Sequence, residues 1–268
     1  MNILVCVKQV PDTNEIKIDP VTNTLVRDGV PSIVNPFDGY ALEAAARIRD
    51  DAPGTRIVVL SMGPQQAENA LRECLAIAAD KAYLVTDRTF GGSDTLATSY
   101  ILSRAIAKVE ELEGAKFDAI FCGKQAIDGD TAQVGPEIAE HLGYPQVTYG
   151  LEAKAADDGL HVYREAEDGK EIIGVQTPCL VTFTKPSFDP RFPTIKRKIA
   201  ARKAQIVHLT AAELTNTDPA RVGLKGSPTK VKRTYVPPRK EAGVVVKEET
   251  VEASAHKLYE LLSNAHAI

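Results

Sequence analysis

Short apolar runs alternate with helical patterns over residues 1–143 of the chain. The runs are almost entirely apolar and cover residues 2–7, 56–60, 82–85 and 117–122. Such runs are typical of parallel strands that are covered on both faces. Between them, apolar residues recur at helical spacing, as at Ala41, Leu42, Ala45 and Ile48. Strands that alternate with helices predict an α/β fold, with a mainly parallel sheet that is doubly covered by helices.

The pattern changes after Pro145. Four short strand-like runs follow, with turns that contain Asp-Asp-Gly and Glu-Asp-Gly, at residues 147–153, 160–166, 170–175 and 178–184. This spacing favours antiparallel hairpins, which we expect to extend one edge of the sheet. A further hairpin is predicted where the runs 16–19 and 24–26 flank the turn residues 20–23. The predicted α/β domain with its antiparallel extension covers residues 1–208.

Residues 209–268 contain little apolar material. Residues 219–239 are rich in Pro, Gly, Lys and Arg, which predicts an extended arm and not a second domain. Near the end, apolar residues recur at helical spacing, namely Val251, Ala255, Leu258, Leu261 and Leu262. An amphipathic helix after such an arm needs a surface to pack on. We therefore interpret residues 209–268 as a C-terminal arm and a helix that packs on a partner subunit, and folding back onto the chain itself is the alternative.

The stretch 123–136 is the strongest candidate for a binding site. Its glycines let the backbone approach a ligand closely, and the Thr131 hydroxyl and the first N–H groups of the following helix offer donors to an anion. Asp128 and Asp130 would repel a phosphate. We expect them to accept from ribose hydroxyls or backbone amides, or to pair with a basic group. An ordinary strand-to-helix turn with Asp and Thr as caps is the competing interpretation.

A second glycine-led turn, residues 91–95, precedes a long predicted helix. Its hydroxyls lie beside free helix N–H groups and predict a second anion site, whereas helix capping alone is the structural alternative. Polar or glycine-bearing turns also follow the first two strands, at residues 6–9 and 61–64, and Asn35 opens a helix, where it has the character of an N-cap. Ligands of parallel sheets bind beyond the carboxyl ends of the strands. Together these turns favour a nucleotide-sized ligand at that edge.

Composition and charge exclude several classes of protein. The net charge is −4, so the chain has no basic field for nucleic acid. No apolar run reaches the roughly 18 residues that span a bilayer, so we expect a cytoplasmic protein without membrane insertion. The cysteines Cys6, Cys74, Cys122 and Cys179 and the five histidines are scattered, which predicts no metal site and no catalytic side chain. Binding or cofactor chemistry is favoured over hydrolysis.

Residues 184–203 join a loop that is stiffened by three prolines to a basic, partly helical stretch. A solvated helix face after a rigid connection is the structural interpretation. The functional interpretation is a partner-docking loop, in which Phe188, Phe192 and Ile195 are apolar anchors and positive charges such as Arg191 steer an acidic partner.

In combination these motifs resemble the beta subunit of the electron-transfer flavoproteins. The matching segments, in order, are residues 4–10, 28–37, 62–64, 123–131 and 190–203. The resemblance covers nearly the whole chain and weakens after Lys240. It implies a Rossmann-like nucleotide-binding fold, an FAD-containing alpha subunit as obligate partner in a heterodimer, and electron transport to or from dehydrogenases.

The resemblance also implies which residues contact the nucleotide. They are Cys6, Val7, Lys8, Asn35, Pro36, Phe37, Asp38, Met62, Gly63, Ser93, Asp94, Thr95, Thr98, Gly123, Lys124, Gln125, Ala126, Ile127, Asp128, Gly129, Asp130, Thr131, Ala132, Gln133 and Val134. In the docking loop, Ile195 falls at the position of the family's apolar anchor.

Members of this family differ in the nucleotide. Common respiratory members hold a structural AMP, whereas electron-bifurcating members hold a second FAD that takes hydride from NADH. Residues 92–98 and 226–230 resemble the FAD-binding branch, and the second glycine-led turn adds the phosphate donors that a pyrophosphate needs. We therefore predict a bifurcating beta subunit.

Its FAD would pass one electron to the alpha-subunit FAD, and from there to an acyl-CoA dehydrogenase such as butyryl-CoA dehydrogenase. The other electron would pass to ferredoxin or flavodoxin. Two alternatives stay open: an electron carrier that holds AMP, and a nucleotide-binding regulatory protein of similar fold.

Overall fold

The computed structural model of the protein describes residues 1–12, 31–232 and 243–268, and the hairpin predicted at residues 16–26 lies outside these ranges. The strands are β1 (Asn2–Cys6), β2 (Gln9–Pro11), β3 (Ser32–Val34), β4 (Arg56–Met62), β5 (Lys81–Val85), β6 (Ala119–Gly123), β7 (Gln146–Ala156), β8 (Gly159–Ala166), β9 (Gly169–Val175), β10 (Cys179–Phe183) and β11 (Ile206–Leu209). The helices are α1 (Pro36–Asp51), α2 (Glu68–Ile77), α3 (Thr95–Glu113), α4 (Val134–Leu142), α5 (Ile195–Lys203) and α6 (Val251–Asn264).

The main sheet has the order β11-β5-β4-β1-β6-β10-β7-β8-β9, and β2 and β3 form a separate antiparallel pair. The four predicted apolar runs are the central parallel strands β1, β4, β5 and β6. Their side chains divide between two apolar clusters. Helices α1 and α2 cover one face of the sheet, and α3 and α4 cover the other. Burial on both faces explains the continuous apolar runs, and the predicted α/β class is confirmed.

The antiparallel extension is confirmed for β7, β8 and β9 at one edge of the sheet, where β8 pairs antiparallel with both neighbours and the register with β7 shifts between Gly150 and Glu152. The prediction was wrong for the run 178–184. Its strand, β10, lies between β6 and β7 and runs parallel to both. All five residues of β10 are buried, and a strand with no solvent-facing side is suited to the interior of a sheet and not to an edge hairpin.

The first part of the C-terminal stretch packs on the α/β domain. Strand β11, which the sequence pattern does not predict, pairs with β5 and extends the sheet. After it, Leu214 and Val222 are buried in the cluster around α3, and the Asp218 amide donates to the Tyr100 hydroxyl at 2.9 Å. A few long-range contacts therefore hold a stretch that looks extended in its local sequence.

Helix α6 is amphipathic, and none of its side chains is buried. Its apolar residues Val251, Leu258 and Tyr259 are all exposed. Packing of α6 on a partner subunit stays a prediction. Within the described ranges, no helix combines the length and apolar character that crossing a bilayer requires.

Candidate functional site

A cleft of about 1100 Å³ opens where β1, β4, β5 and β6 end, and the turns after these strands and the starts of α3 and α4 line it. Most of the predicted nucleotide contacts line this one cleft, namely Cys6, Val7, Lys8, Asp38, Met62, Gly63, Ser93, Asp94, Thr95, Thr98, Gly123, Lys124, Gln125, Ala126, Gly129, Thr131, Ala132, Gln133 and Val134. The cleft lies at the sheet edge where ligands of parallel sheets bind. Contact of these residues with a nucleotide stays a prediction.

Six predicted residues do not line the cleft: Asn35, Pro36, Phe37, Ile127, Asp128 and Asp130. Asn35 shows how a residue that does not line the cleft can still determine the conformation of a loop that does. Its side chain is fully buried, donates from Nδ2 to the Gln125 carbonyl at 2.8 Å, and accepts from the Ile127 amide at 3.1 Å. It makes no side-chain cap bond to α1. Asn35 therefore shapes the loop after β6 instead of capping its own helix.

Asp38 joins the ends of β1 and β6. Its carboxylate accepts from the Lys8 amide at 2.7 Å and from the Gly123 amide at 3.1 Å. Burial raises the pKa of Asp38 from 3.8 to about 7, although the bonds from Asn35, Lys8 and Gly123 act in the opposite direction. The central strands are therefore linked at the cleft by a carboxyl that is partly protonated at neutral pH.

The raised pKa predicts a pH-dependent contribution from Asp38 to stability. Between pH 3.8 and about 7 the unfolded carboxyl is ionised while the folded one keeps its proton, so stability falls as pH rises through this window. The full contribution is about 4 kcal/mol. We expect urea unfolding to show that the stability difference between wild type and Asp38→Asn shifts in favour of the variant as pH rises from 4 to 7.

Asp50→Asn is the matched control for this experiment. The hydrogen bond from Arg191 lowers the pKa of the exposed Asp50, so Asp50 stabilises the fold above its unfolded pKa and loses this effect as pH falls. Between pH 4 and 7 the stability difference between wild type and Asp50→Asn should therefore stay nearly constant, and it should shift in favour of the variant only as pH falls below about 3.8. Parallel pH curves for wild type and Asp38→Asn would contradict the assignment.

The loop between β6 and α4 contributes residues with unpaired backbone amides to the lining of the cleft. Asp130 and Ala132 have left-handed backbone conformations, with φ of 51° and 53°. Among the described residues, the N–H groups of Thr131, Ala132 and Gln133 have no acceptor, and all three residues line the cleft. Consecutive amides around left-handed residues form a concave donor site for an anion.

Both acidic residues of this loop are held by polar side chains. Lys8 Nζ lies 2.6 Å from Asp128 Oδ1, and Gln125 Nε2 donates to Asp130 Oδ1 at 2.7 Å. Pairing with a basic group, one of the roles predicted from the sequence, is confirmed for Asp128. The two carboxylates thus fold the loop, and neither of them lines the cleft.

The turn before α3 is tied to the C-terminal stretch. Asp94 caps α3 by accepting from the Ala97 amide at 3.0 Å, and its other oxygen accepts from the amide and hydroxyl of Thr229 at 3.0 and 2.8 Å. The Ser93 hydroxyl donates to the Phe90 carbonyl and accepts from the Gly223 amide. The capping interpretation is therefore confirmed for Asp94, and the Ser93 hydroxyl is occupied by the chain itself.

Thr95 connects the two helix starts. Its hydroxyl lies 3.1 Å from Gln133 Oε1 and 3.2 Å from Glu137 Oε1. The first turns of α3 and α4 therefore border one space, and amides from both can face the same ligand.

A family model described as the electron transfer flavoprotein domain matches residues 22–214. This chain belongs to the electron transfer flavoprotein family. The resemblance drawn from the sequence motifs is thereby confirmed.

Several relatives match the chain over nearly its whole length. The electron transfer flavoprotein subunit beta of Megasphaera elsdenii is 53% identical over 250 residues, which are 93% of this chain and 92% of that protein. The subunit beta of Thermoanaerobacterium thermosaccharolyticum is 52% identical over the full length of both chains. The caffeyl-CoA reductase-Etf complex subunit CarD of Acetobacterium woodii is 49% identical, again over both full lengths.

Sequence reasoning missed one wall of the cleft in this electron transfer flavoprotein chain. The turn after β5 lines it with Thr86, Asp87, Arg88 and Phe90. These four residues include no glycine and no obvious motif, although Gly91 and Gly92 of the predicted second turn follow them directly. The position of these residues directly after a parallel strand was the available signal, because the carboxyl ends of the parallel strands lie at the same edge of the sheet.

The predicted docking residues of this electron transfer flavoprotein chain divide into two pairs. Arg191 binds the buried Glu43 through its backbone amide and Nε at 3.0 and 2.8 Å, and the Arg47 guanidinium lies 4.1 Å above the Phe188 ring. Phe192 and Ile195 are 91% and 79% exposed. Arg191 and Phe188 thus attach the loop to α1, whereas Phe192 and Ile195 face solvent. A docking role for any of the four stays a prediction.

Proposed function

We propose that the cleft binds FAD and that this chain is the beta subunit of an electron-bifurcating flavoprotein, in a heterodimer with an FAD-containing alpha subunit. The bound FAD would supply hydride acceptance from NADH and the division of the electron pair. One electron would go to the alpha-subunit FAD and then to an acyl-CoA dehydrogenase such as butyryl-CoA dehydrogenase. The other would go to ferredoxin or flavodoxin.

The observation that supports FAD most strongly is that two helix starts open into one large cleft. Small-molecule pockets measure about 300–1,000 Å³, and this cleft of about 1100 Å³ is slightly larger than that range, which leaves room for a dinucleotide. AMP has one phosphate and needs one group of anion donors. The amides of Thr131–Gln133 and the amides at the start of α3 that Asp94 does not occupy would provide two groups, which suit a pyrophosphate.

The protein's own contribution is to bind and to orient. The amides after β6 and at the start of α3 hold phosphate charge, and Arg88 adds a guanidinium to the wall. Asn35 and Asp38 keep the loop after β6 in the shape that presents these amides. No side chain is required as a general acid or base, since the flavin supplies the redox chemistry.

The names of the relatives support the proposed partners. A subunit-beta name belongs to a protein that has another subunit, and the Acetobacterium woodii relative is named for a complex with a caffeyl-CoA reductase. By analogy we propose an alpha subunit and an acyl-CoA oxidoreductase as partners of this chain.

The deciding experiment is to purify the heterodimer and to extract and count its nucleotides. Two FAD molecules per heterodimer are expected. One FAD plus one AMP would overturn the proposal in favour of a carrier that holds a structural AMP. A stable, colourless protein that forms without any alpha subunit would favour the regulatory alternative.

Thr95→Val tests the link between the two helix starts. Valine keeps the shape of threonine and removes the hydroxyl that joins Gln133 and Glu137. We expect about tenfold weaker FAD retention, because a hydrogen bond to a charged group contributes about 1.5–3 kcal/mol. Retention is measured by gel filtration and flavin absorbance.

Thr217→Val is the matched control, since the Thr217 hydroxyl has no hydrogen-bond partner among the described residues and Thr217 does not line the cleft. It should retain FAD as the wild type does. Equal FAD retention by the Thr95 and Thr217 variants would argue against a pyrophosphate-binding site that is shared by the starts of α3 and α4.

A further inference from the structure

Two cysteine thiols lie side by side at the floor of the cleft. Cys6 and Cys122 are direct register partners in the neighbouring parallel strands β1 and β6. Neighbouring strands lie about 4.8 Å apart, and both side chains belong to the apolar cluster on the α3 and α4 face of the sheet. Because register partners of neighbouring parallel strands point to the same face of a sheet, the two thiols lie next to each other. A register that depends on two distant segments thus creates a dithiol.

Of the four cysteines, only Cys6 and Cys122 line the cleft. Cys6 and Cys122 are 9% and 5% exposed, and both line the cleft. Cys74 and Cys179 are fully buried in the cluster on the opposite face. All four thiols are free. A reagent that enters the cleft therefore meets two thiols together and neither of the others.

The surroundings select for one kind of reagent. The adjacent Cys6 thiol and burial raise the pKa of Cys122 well above its usual value, and the nearby Asp38 carboxyl acts in the same direction. Protonated thiols react slowly with electrophiles that attack a single sulfur, and they bind cations weakly because a cation needs thiolates. An uncharged reagent that exchanges a bound oxygen for two thiol sulfurs needs neither a reactive thiolate nor a charged product. Its adduct therefore places no charge in the apolar floor of the cleft.

We propose that Cys6 and Cys122 form a dithiol site for trivalent arsenicals at the floor of the cleft. With phenylarsine oxide, both bonds from arsenic to its oxygen are replaced by two bonds to sulfur, and the two thiol protons leave with the oxygen as one water. Arsenic stays trivalent, so no oxidant or reductant takes part. The product fills the cleft floor and excludes a nucleotide.

The test uses the complete chain in complex with its alpha subunit, before and after nucleotide removal. Native mass spectrometry should detect one phenylarsenic group on the beta chain of the nucleotide-depleted complex and none on the loaded complex. A small dithiol should remove the group, whereas an excess of a monothiol should not. Failure to form the adduct, or its removal by the monothiol, would overturn the proposal without any variant being needed.

Variants locate the site. Cys6→Ala and Cys122→Ala should each weaken the adduct about 10²-fold or more, because loss of one arm removes the effective concentration of the second. Cys74→Ala should leave it unchanged. An adduct that survives in both cleft variants would place the reaction elsewhere. The outcome needs the cleft but not a particular nucleotide, so extraction of AMP instead of FAD would refute the proposed function and leave this site untouched.

Discussion

Replacing Gly123 with alanine should lower the free energy of unfolding by about 3 kcal/mol and abolish nucleotide binding. A Cβ at this position would lie 2.3 Å from Asp38 Oδ1 and 2.7 Å from both the Asp38 nitrogen and the Phe37 carbonyl carbon. Two of these are backbone atoms at the start of α1, so relief requires movement of the helix. The displaced Asp38 would then lose its bonds to the ends of β1 and β6.

Gly129→Ala is the matched control in the same loop. An added Cβ at Gly129 meets nothing within 4 Å, so its stability should change little. Urea unfolding and nucleotide retention measure both variants. Comparable losses in the two would show that glycine flexibility, and not the close approach of Asp38, makes this loop sensitive.

The second large effect is expected at Arg191. Arg191→Ala should destabilise the protein by about 3 kcal/mol, since it leaves the buried carboxylate of Glu43 without its cationic partner. Arg191 also binds Asp50 at 2.7 Å, so the loop 184–203 should detach from α1. Thermal unfolding and proteolysis within the loop would measure this. Arg191→Lys should recover only part of the loss, because lysine cannot reproduce the fork of bonds to Glu43.

Ile195→Ala distinguishes attachment of the loop to α1 from docking of a partner protein. Ile195 is 79% exposed, so its truncation should leave stability and nucleotide content unchanged. If the loop docks a dehydrogenase, the same variant should slow electron transfer to that partner. Wild-type stability in Arg191→Ala, or unfolding in Ile195→Ala, would reverse the roles that the structure indicates for these two residues.

Much of the fold was accessible from local pattern. The central strands β1, β4, β5 and β6 are apolar over their whole length because both faces are covered, and that signal needs no tertiary information. The start of α3 was also predictable from local sequence, since Asp94 caps this helix with its own side chain within one turn. The candidate cleft followed from these two features, because parallel strands end at a common edge.

The sequence by itself determined the α/β class, the positions of the glycine-led turns and the family, because each of these depends on local patterns of residues that are neighbours in the chain. The tertiary structure alone decided that β10 lies inside the sheet and that β11 pairs with β5. It also decided that Arg191 reaches Glu43 across 148 positions and that Cys6 faces Cys122. Such pairings compete with many others of similar local character. Only the simultaneous burial and hydrogen bonding of distant segments selects one of them.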